Sequence, residues 1–450
     1  MQRSQPDHAI LDRLDDLIRR ALDKGADAAD GVFVETRSLS LAWRLGRQER
    51  LERSEAMDVG LRVFAGRRQA VVSSSDLASA ALDELAGRAV AMAREVPEDP
   101  WCGLAEPDQL AREVPELECC DPDEPSVDWL QARVSAAEDA ARGVPGVTNS
   151  EGAEAGWTWT RSAIVGSNGF AAARARSQHG LSASVLAGDG TAMERDYDYT
   201  AAVFAADLRA PEEVGACAGQ RAVRRLHPRK TRSATLPVVY DPRAARSLVG
   251  HLAAAINGTA VARGTTFLAG RMGQALFPEG ITIVDDPLRR RGLRSRPFDG
   301  EGLPTRRLNV VERGVLQSWI LDLRSARQLQ LAPTGHASRG TSTPPSPGPS
   351  NLYVEPGSVS PEVLMADIRE GLYVTELIGF GINGITGDYS RGASGFWIEN
   401  GALAYPVSEV TVAGNLLDMF AGMTAADDLV FRYGTDSPTL RIDGMTIAGQ

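Results

Sequence analysis

Between residues 32 and 63 apolar side chains recur at alternate positions: Val32 and Val34, then Leu39, Leu41, Trp43 and Leu45, then Val59, Leu61 and Val63. A period of two puts one face of an extended chain into a core and leaves the other for different neighbours, which no helix can satisfy. These stretches predict strands of one sheet, with Gly66 and its two following arginines as a hairpin tip. Ahead of them Leu11, Leu14, Leu17, Ile18 and Ala21 follow helical spacing, and Gly25 is placed to stop that helix. After them Ser75 is placed to cap a helix through about Arg94, whose Leu77, Ala81, Leu82, Leu85 and Val90 would lie against the sheet.

From Pro97 to Pro125 the composition shifts to Pro, Asp, Glu and Cys without periodicity, as in a linker or long surface loop. A helix over Val127–Arg142, capped by Ser126 and stopped by Gly143, then leads into alternating stretches divided by turn signals at Ser167-Asn168-Gly169 and Gly188-Asp189-Gly190. A second helix runs from about Pro211 to Leu226, and the basic run His227–Arg232 reads as an exposed connector. The remaining chain is rich in Gly and Pro and alternates short strands with turns, with Pro344–Pro349 as a surface loop. The expected fold class is multi-domain α+β. It has an N-terminal sheet with packed helices over 1–115, a central β-meander with flanking helices over 122–230, and a C-terminal β-rich domain of mostly antiparallel strands over 233–450. No internal repeat of solenoid length is visible.

Forty-three per cent apolar and 24 % charged residues in a chain of 450 exclude wholesale disorder. A formal charge of −11 with 6 % aromatic residues argues against a dedicated nucleic-acid binder. No apolar run reaches membrane-spanning length, so no membrane association is expected. The four cysteines, Cys102, Cys119, Cys120 and Cys217, form no C-x-x-C, which fits a reducing cytoplasm.

Metal and nucleophile chemistry find little support. The five histidines are His8, His179, His227, His251 and His336, and no two lie within helical reach, so no zinc motif and no metal site is expected in this chain. Gly379-Phe380-Gly381-Ile382-Asn383-Gly384 satisfies G-x-G-x-x-G as a string, but the sequence after it, Ile385 to Gly392, is unsuited to the helix a dinucleotide site requires. Ser394 imitates a nucleophile elbow, yet Phe396 stands where the second glycine belongs and no histidine follows. No catalytic residue is assigned.

Two polar clusters remain. One holds Arg294, Arg296, Asp299 and Glu301 among glycines; the other holds Thr386, Asp388, Ser390 and Arg391, with Glu399 and Asn400 at an Asn-Gly hairpin signal. Arginines and carboxylates in such loops can hold the termini or backbone of a ligand, or pair with one another to brace the loops. Both roles stay open for these ten candidate substrate-binding residues.

The run Gly387-Asp388-Tyr389-Ser390-Arg391-Gly392-Ala393-Ser394-Gly395-Phe396-Trp397-Ile398-Glu399-Asn400-Gly401, followed by Tyr405 to Asn415, resembles the signature of the TldD/PmbA family. Gly250-His251-Leu252, Val284-Asp285-Asp286-Pro287, Gly292 to Gly302 and Thr334-Gly335-His336-Ala337 resemble its PmbA, or TldE, branch. The resemblance implies one of two related subunits of a cytosolic peptidase system, historically described as modulators of DNA gyrase. Its TldD-type partner carries H-E-x-x-x-H on a helix and would hold the zinc. Aligned on Gly264-Thr265, this chain has Val249, Gly250 and Ala254 at those three positions, and His251 falls where the partner has no ligand. A chain of this kind is expected to be inactive alone, to shape the chamber and to align unfolded peptides. A self-sufficient homodimeric peptidase and a non-proteolytic scaffold acting on a gyrase or toxin–antitoxin system are the alternatives.

Overall fold

The computed structural model describes residues 7–449. Its first half is one six-stranded sheet in the order β3-β2-β1-β4-β5-β6. The strands are β1 (Ala28–Arg44), β2 (Arg47–Ala65), β3 (Arg68–Ser74), β4 (Val147–Gly166), β5 (Ala171–Ala187) and β6 (Glu194–Ala202). Helices α1 (Asp7–Asp23) and α2 (Ser79–Glu95) flank the first three strands, and α3 (Val127–Arg142) and α4 (Pro211–Arg224) flank the second three. The sheet therefore holds two α-β-β-β-α halves, joined where β1 and β4 pair antiparallel from Asp30 opposite Gly166 to Trp43 opposite Ala153. It is continuous across the boundary expected between residues 115 and 122.

All four helices pack on the same face, because the odd-numbered residues of the central strands point one way. Phe33, Ala163 and Val165 meet Leu14, Leu17, Leu85 and Ala89 under one helix pair. Leu39, Leu41, Ala155, Trp157 and Leu181 meet Leu130, Val134, Val214 and Ala218 under the other. The Ser126 hydroxyl accepts the Trp129 N–H and starts α3 as the sequence predicts. Three local expectations change. Ser75 does not cap α2: the Asp76 carboxylate instead accepts the Ala78 N–H, the helix begins at Ser79, and its cap has no side-chain bond. Leu45 does not continue a strand but turns with φ 50, held because Glu138 accepts the N–H groups of Leu45 and Gly46 at 2.8 and 3.0 Å. The segment from 97 to 125 lacks regular structure but is no loose linker, since Ala105 and Leu117 are buried and Ala111 donates to the Gly302 carbonyl.

The second half is strand-rich. β7 (Ala234–Tyr240), β14 (Glu370–Ile382), β15 (Asp388–Glu399), β16 (Ala402–Asn415), β17 (Met423–Ala425) and β19 (Leu440–Ala448) form a sheet ordered β16-β15-β14-β7-β19-β17, and β16 pairs with β19 as well, closing it on itself. Only β7 and β14 run parallel in it. A five-stranded sheet combines β8 (Ile283–Asp285), β9 (Leu308–Glu312), β10 (Val315–Leu316), β13 (Leu352–Val354) and β18 (Thr435–Asp436). The short strands β11 (Ala337–Ser338) and β12 (Ser346–Pro347) pair with each other. That pairing corrects the reading of Pro344–Pro349 as a surface loop, for Pro345 and Pro347 are buried. Helix α5 (Pro242–Ala255) is the centre of the core here, with Leu248 and Leu252 among Val238, Tyr240, Leu372, Val374 and Trp397. Short helices α6 (Gly258–Ala262) and α7 (Leu323–Leu329) follow it.

The two halves meet on the even-numbered face of the first sheet. Gly60 on β2 lies so close to the Thr341 carbonyl that any side chain there would collide with it. Beside this contact Arg62 pairs with Asp30, Arg339 reaches Asp30 at 2.8 Å, and Glu301 lies 3.6 Å from Arg62, all of them buried.

Candidate functional site

Strand parity leaves Val32, Val34, Ser162, Ile164, Arg174 and Arg176 facing the C-terminal half, where they line a cavity of about 1120 Å³. Opposite them stand Leu293–Pro297, Ser338–Gly340 and Arg432-Tyr433, and the 114–120 segment completes the wall. The cavity thus exists only because both halves of the molecule are in place.

Its charge is inverted relative to the chain. Seven arginines line it, Arg174, Arg176, Arg246, Arg294, Arg296, Arg339 and Arg432, and Glu116 is the sole carboxylate among the lining residues. Arg174 donates to the Phe298 carbonyl at 2.7 Å and Arg176 to the Leu293 carbonyl at 2.5 Å, so both are fixed by neutral acceptors. Burial, then the neighbouring charges of Arg296 and Arg176, pull Arg174 down to about 10. Burial likewise lowers Arg296 and Arg339. Cys119 and Cys120 also line the cavity, but burial raises both thiols, which disfavours a thiolate nucleophile.

The ten candidate residues separate into four places. Arg294 and Arg296 line the cavity: Arg294 donates to Thr435 Oγ1 at 3.1 Å, and Arg296 to the Gly348 carbonyl at 2.8 Å. Asp299 and Glu301 lie behind that wall as braces. Asp299 accepts the N–H groups of Glu301, Leu303 and Ala337 at 2.9–3.0 Å, and Glu301 accepts the Leu323 N–H that opens α7. Burial raises both carboxyls, that of Glu301 to about 8 against the opposing charge of Arg62.

Thr386, Asp388, Ser390, Arg391, Glu399 and Asn400 do not line the cavity. Thr386 donates to Asp388 Oδ2 at 2.6 Å and Asn415 donates to the other oxygen at 3.3 Å, which ties the β14–β15 turn to the end of β16. Ser390 sits exposed opposite Gly381. Glu399 ends β15 at its other end, and Asn400 opens the two-residue turn to β16 that the sequence predicts, with φ 49 at Asn400 and 81 at Gly401. The G-x-G-x-x-G string lies in β14 and its turn, not at a helix start, and exposes Phe380 almost completely.

Sequence reading missed the cavity arginines outside the glycine-rich loop. The signal for two of them was Ala173-Arg174-Ala175-Arg176, where alternation on a strand aims both arginines at one face. The buried pair of Asp285 and His336, 3.1 Å apart, was not singled out as such either. Asp285 also accepts from the Ser350 hydroxyl and N–H, so the serine meets the acid rather than the imidazole and the trio fixes loops.

The α5 positions where a TldD-type zinc helix would carry its ligands hold residues without ligand atoms. On α5, Val249 is in the core, Gly250 and Ala254 carry no donor, and His251 stacks edge-on against Tyr389 at 6.0 Å. Burial and then the charge of Arg391 press His251 down to about 4, an environment hostile to a further cation. No three His, Cys, Asp or Glu side chains converge as ligands among the described residues.

Comparison with known proteins bears on the whole chain. It matches the PmbA/TldA metallopeptidase domain 1 over residues 29–93, the central domain over 120–226 and the C-terminal domain over 233–449. It is 36 % identical over 442 residues to the metalloprotease PmbA of Escherichia coli O157:H7, covering 97 % of this chain and 96 % of that one. A PmbA homologue of Haemophilus influenzae is 32 % identical over the full length of both chains. The fold is shared with a proposed modulator of DNA gyrase from Bacteroides thetaiotaomicron, with TM-score 0.89 at 26 % identity over 98 % of both chains. TldE of Thermococcus kodakarensis has the same fold, with TM-score 0.87 at 22 % identity over 97 % of this chain and all of the other. The chain is a member of the PmbA/TldD family.

Proposed function

We propose that this chain is the metal-free subunit of a cytoplasmic heteromeric metallopeptidase that degrades or processes unfolded peptides. The zinc and its chemistry belong to a TldD-type partner. The observation that carries this reading is α5, which offers Val249, Gly250 and Ala254 where a zinc helix needs two imidazoles and a carboxylate. This chain's contribution is to wall a chamber and to position substrate, and the lining of the cavity by Arg294 and Arg296 supports these two as its contact residues. The tip of the β14–β15 hairpin, with Ile378, Phe380 and Ile385 exposed beside Thr386 and Asp388, suits a protein contact such as the partner's. No helix among the described residues is long and apolar enough to cross a membrane.

The test measures zinc content and cleavage of an unstructured peptide for the chain alone and co-purified with a TldD-type partner. Zinc and chelator-sensitive cleavage in the pair only are expected. Stoichiometric zinc and cleavage in the chain alone would instead establish a self-sufficient homodimer. A stable pair without cleavage, whose effect on gyrase or an antitoxin survives zinc removal, would establish a scaffold.

A further inference from the structure

The cavity between the first sheet and the C-terminal loops is built for negative charge. Its arginines come from β5, α5, the 293–297 loop, the turn after β11 and the segment before β18, so they surround the space rather than line one edge. Arginine, with its planar fork of donors, suits carboxylates and phosphates better than lysine, and no lysine lines the cavity. Several of these donors are unspent. Arg296 Nε and the Nε and Nη2 of Arg339 are buried without a hydrogen-bond partner, although Arg339 is only 1 % exposed. Arg432 has no side-chain hydrogen bond or carboxylate partner among the described residues, and Arg246 is held by the Tyr199 hydroxyl and the Tyr433 ring rather than by an acid. Gathering like charges in a partly enclosed space costs free energy that an anionic ligand would return.

We propose that this cavity binds the carboxylates of an acidic, extended peptide segment, which gives the peptidase a preference for acidic substrates. The proposal rests on the peptidase reading above. A volume of about 1120 Å³ exceeds the space one small anion needs, and seven arginines from five separate segments line it, more than one carboxylate can pair. Val32, Val34 and Ile164 give intervening residues an apolar floor. A peptide is favoured over a nucleic acid because the chain as a whole carries −11, which repels a long polyanion but not a short segment already inside the cavity.

Fluorescence anisotropy on the full chain without a partner tests this, with labelled Gly-Ser-Glu-Glu-Ser-Glu, its glutamine counterpart and a six-nucleotide oligothymidylate as probes. The acidic peptide is expected to bind at least tenfold more tightly than the glutamine peptide at low salt, with the difference shrinking as salt rises. Arg294→Gln with Arg432→Gln should weaken the acidic probe at least tenfold. The control pair Arg50→Gln with Arg271→Gln, equal in charge change but outside the cavity, should leave binding within twofold. Melting curves verify that both double variants are folded, and Arg432→Lys should retain part of the affinity. Equal binding of the two peptides, or equal loss in the control pair, overturns the proposal, and tighter binding of the oligothymidylate overturns it in favour of nucleic acid. Cleavage by the co-purified pair is read separately. If the pair cuts acidic and glutamine peptides alike and the chain alone does not discriminate, the proposal fails and the peptidase reading stands. Absence of zinc-dependent cleavage sinks the peptidase reading whatever the anisotropy shows.

Discussion

Arg62 donates two hydrogen bonds to Asp30, from Nε to Oδ1 at 3.0 Å and from Nη2 to Oδ2 at 2.6 Å, across neighbouring strands and beneath the C-terminal half. Burial alone would raise the Asp30 carboxyl, yet Arg339 and Arg62 hold it below its ordinary value. Asp30→Ala leaves Arg339 buried without its carboxylate partner and Arg62 with only the more distant Glu301, and urea unfolding should show a loss of about 3–5 kcal/mol. A loss below about 1 kcal/mol would mean that this cluster does not fasten the two halves.

Glu301 makes stability fall with rising pH. Its folded value of about 8 lies above the ordinary 4.5, so the folded chain holds this proton more tightly than the unfolded chain does. The resulting stabilisation is complete below 4.5 and is lost as pH rises through 8. Glu301→Gln imitates the protonated form, so its melting temperature should gain on that of the natural protein between about pH 5 and pH 8.5. A constant difference over that window would show that Glu301 is ionised throughout.

His251 works in the opposite direction. Burial and Arg391 place its folded value at about 4 against an ordinary 6.5, so its contribution to stability is present above 6.5 and lost as pH falls through 4. Proton NMR of the imidazole should give a midpoint near 4, and Arg391→Gln should move that midpoint upward. A midpoint near 6.5 in the natural protein would remove Arg391 and burial as determinants.

Asn400 is expected to matter for folding and not for ligand. Its φ of 49 is a left-handed conformation that asparagine tolerates and alanine resists. Asn400→Ala should cost about 1 kcal/mol in denaturant unfolding, while Asn400→Gly stays close to neutral. Neither should change peptide affinity, since Asn400 lies outside the cavity.

The legible parts of this molecule were those written in local chemistry. Period-two stretches around Val32 and Leu61 became strands, Ser126 capped its helix, and Asn400-Gly401 made its turn. Arg294 and Arg296 stand close together among glycines and line the cavity, whereas Asp299 and Glu301 beside them accept backbone N–H groups behind its wall. The cavity itself was not legible, because Arg174, Arg246, Arg339 and Arg432 come together only through tertiary packing. Likewise, nothing local in the 97–125 segment says that it will lie against the C-terminal half.

The seam between β1 and β4 has a consequence for how the chain reaches its native state. Each half-sheet is assembled mainly from hairpins between successive strands, whereas the seam sets Asp30 against Gly166 and must close a long loop of chain first. Contact order therefore predicts that local hairpins form before the seam, and that the C-terminal half docks after the seam has closed. On that order, Val32, Val34 and Ile164 on the even-numbered face would stay uncovered until the C-terminal half docks, which is when an aggregation-prone apolar surface is expected.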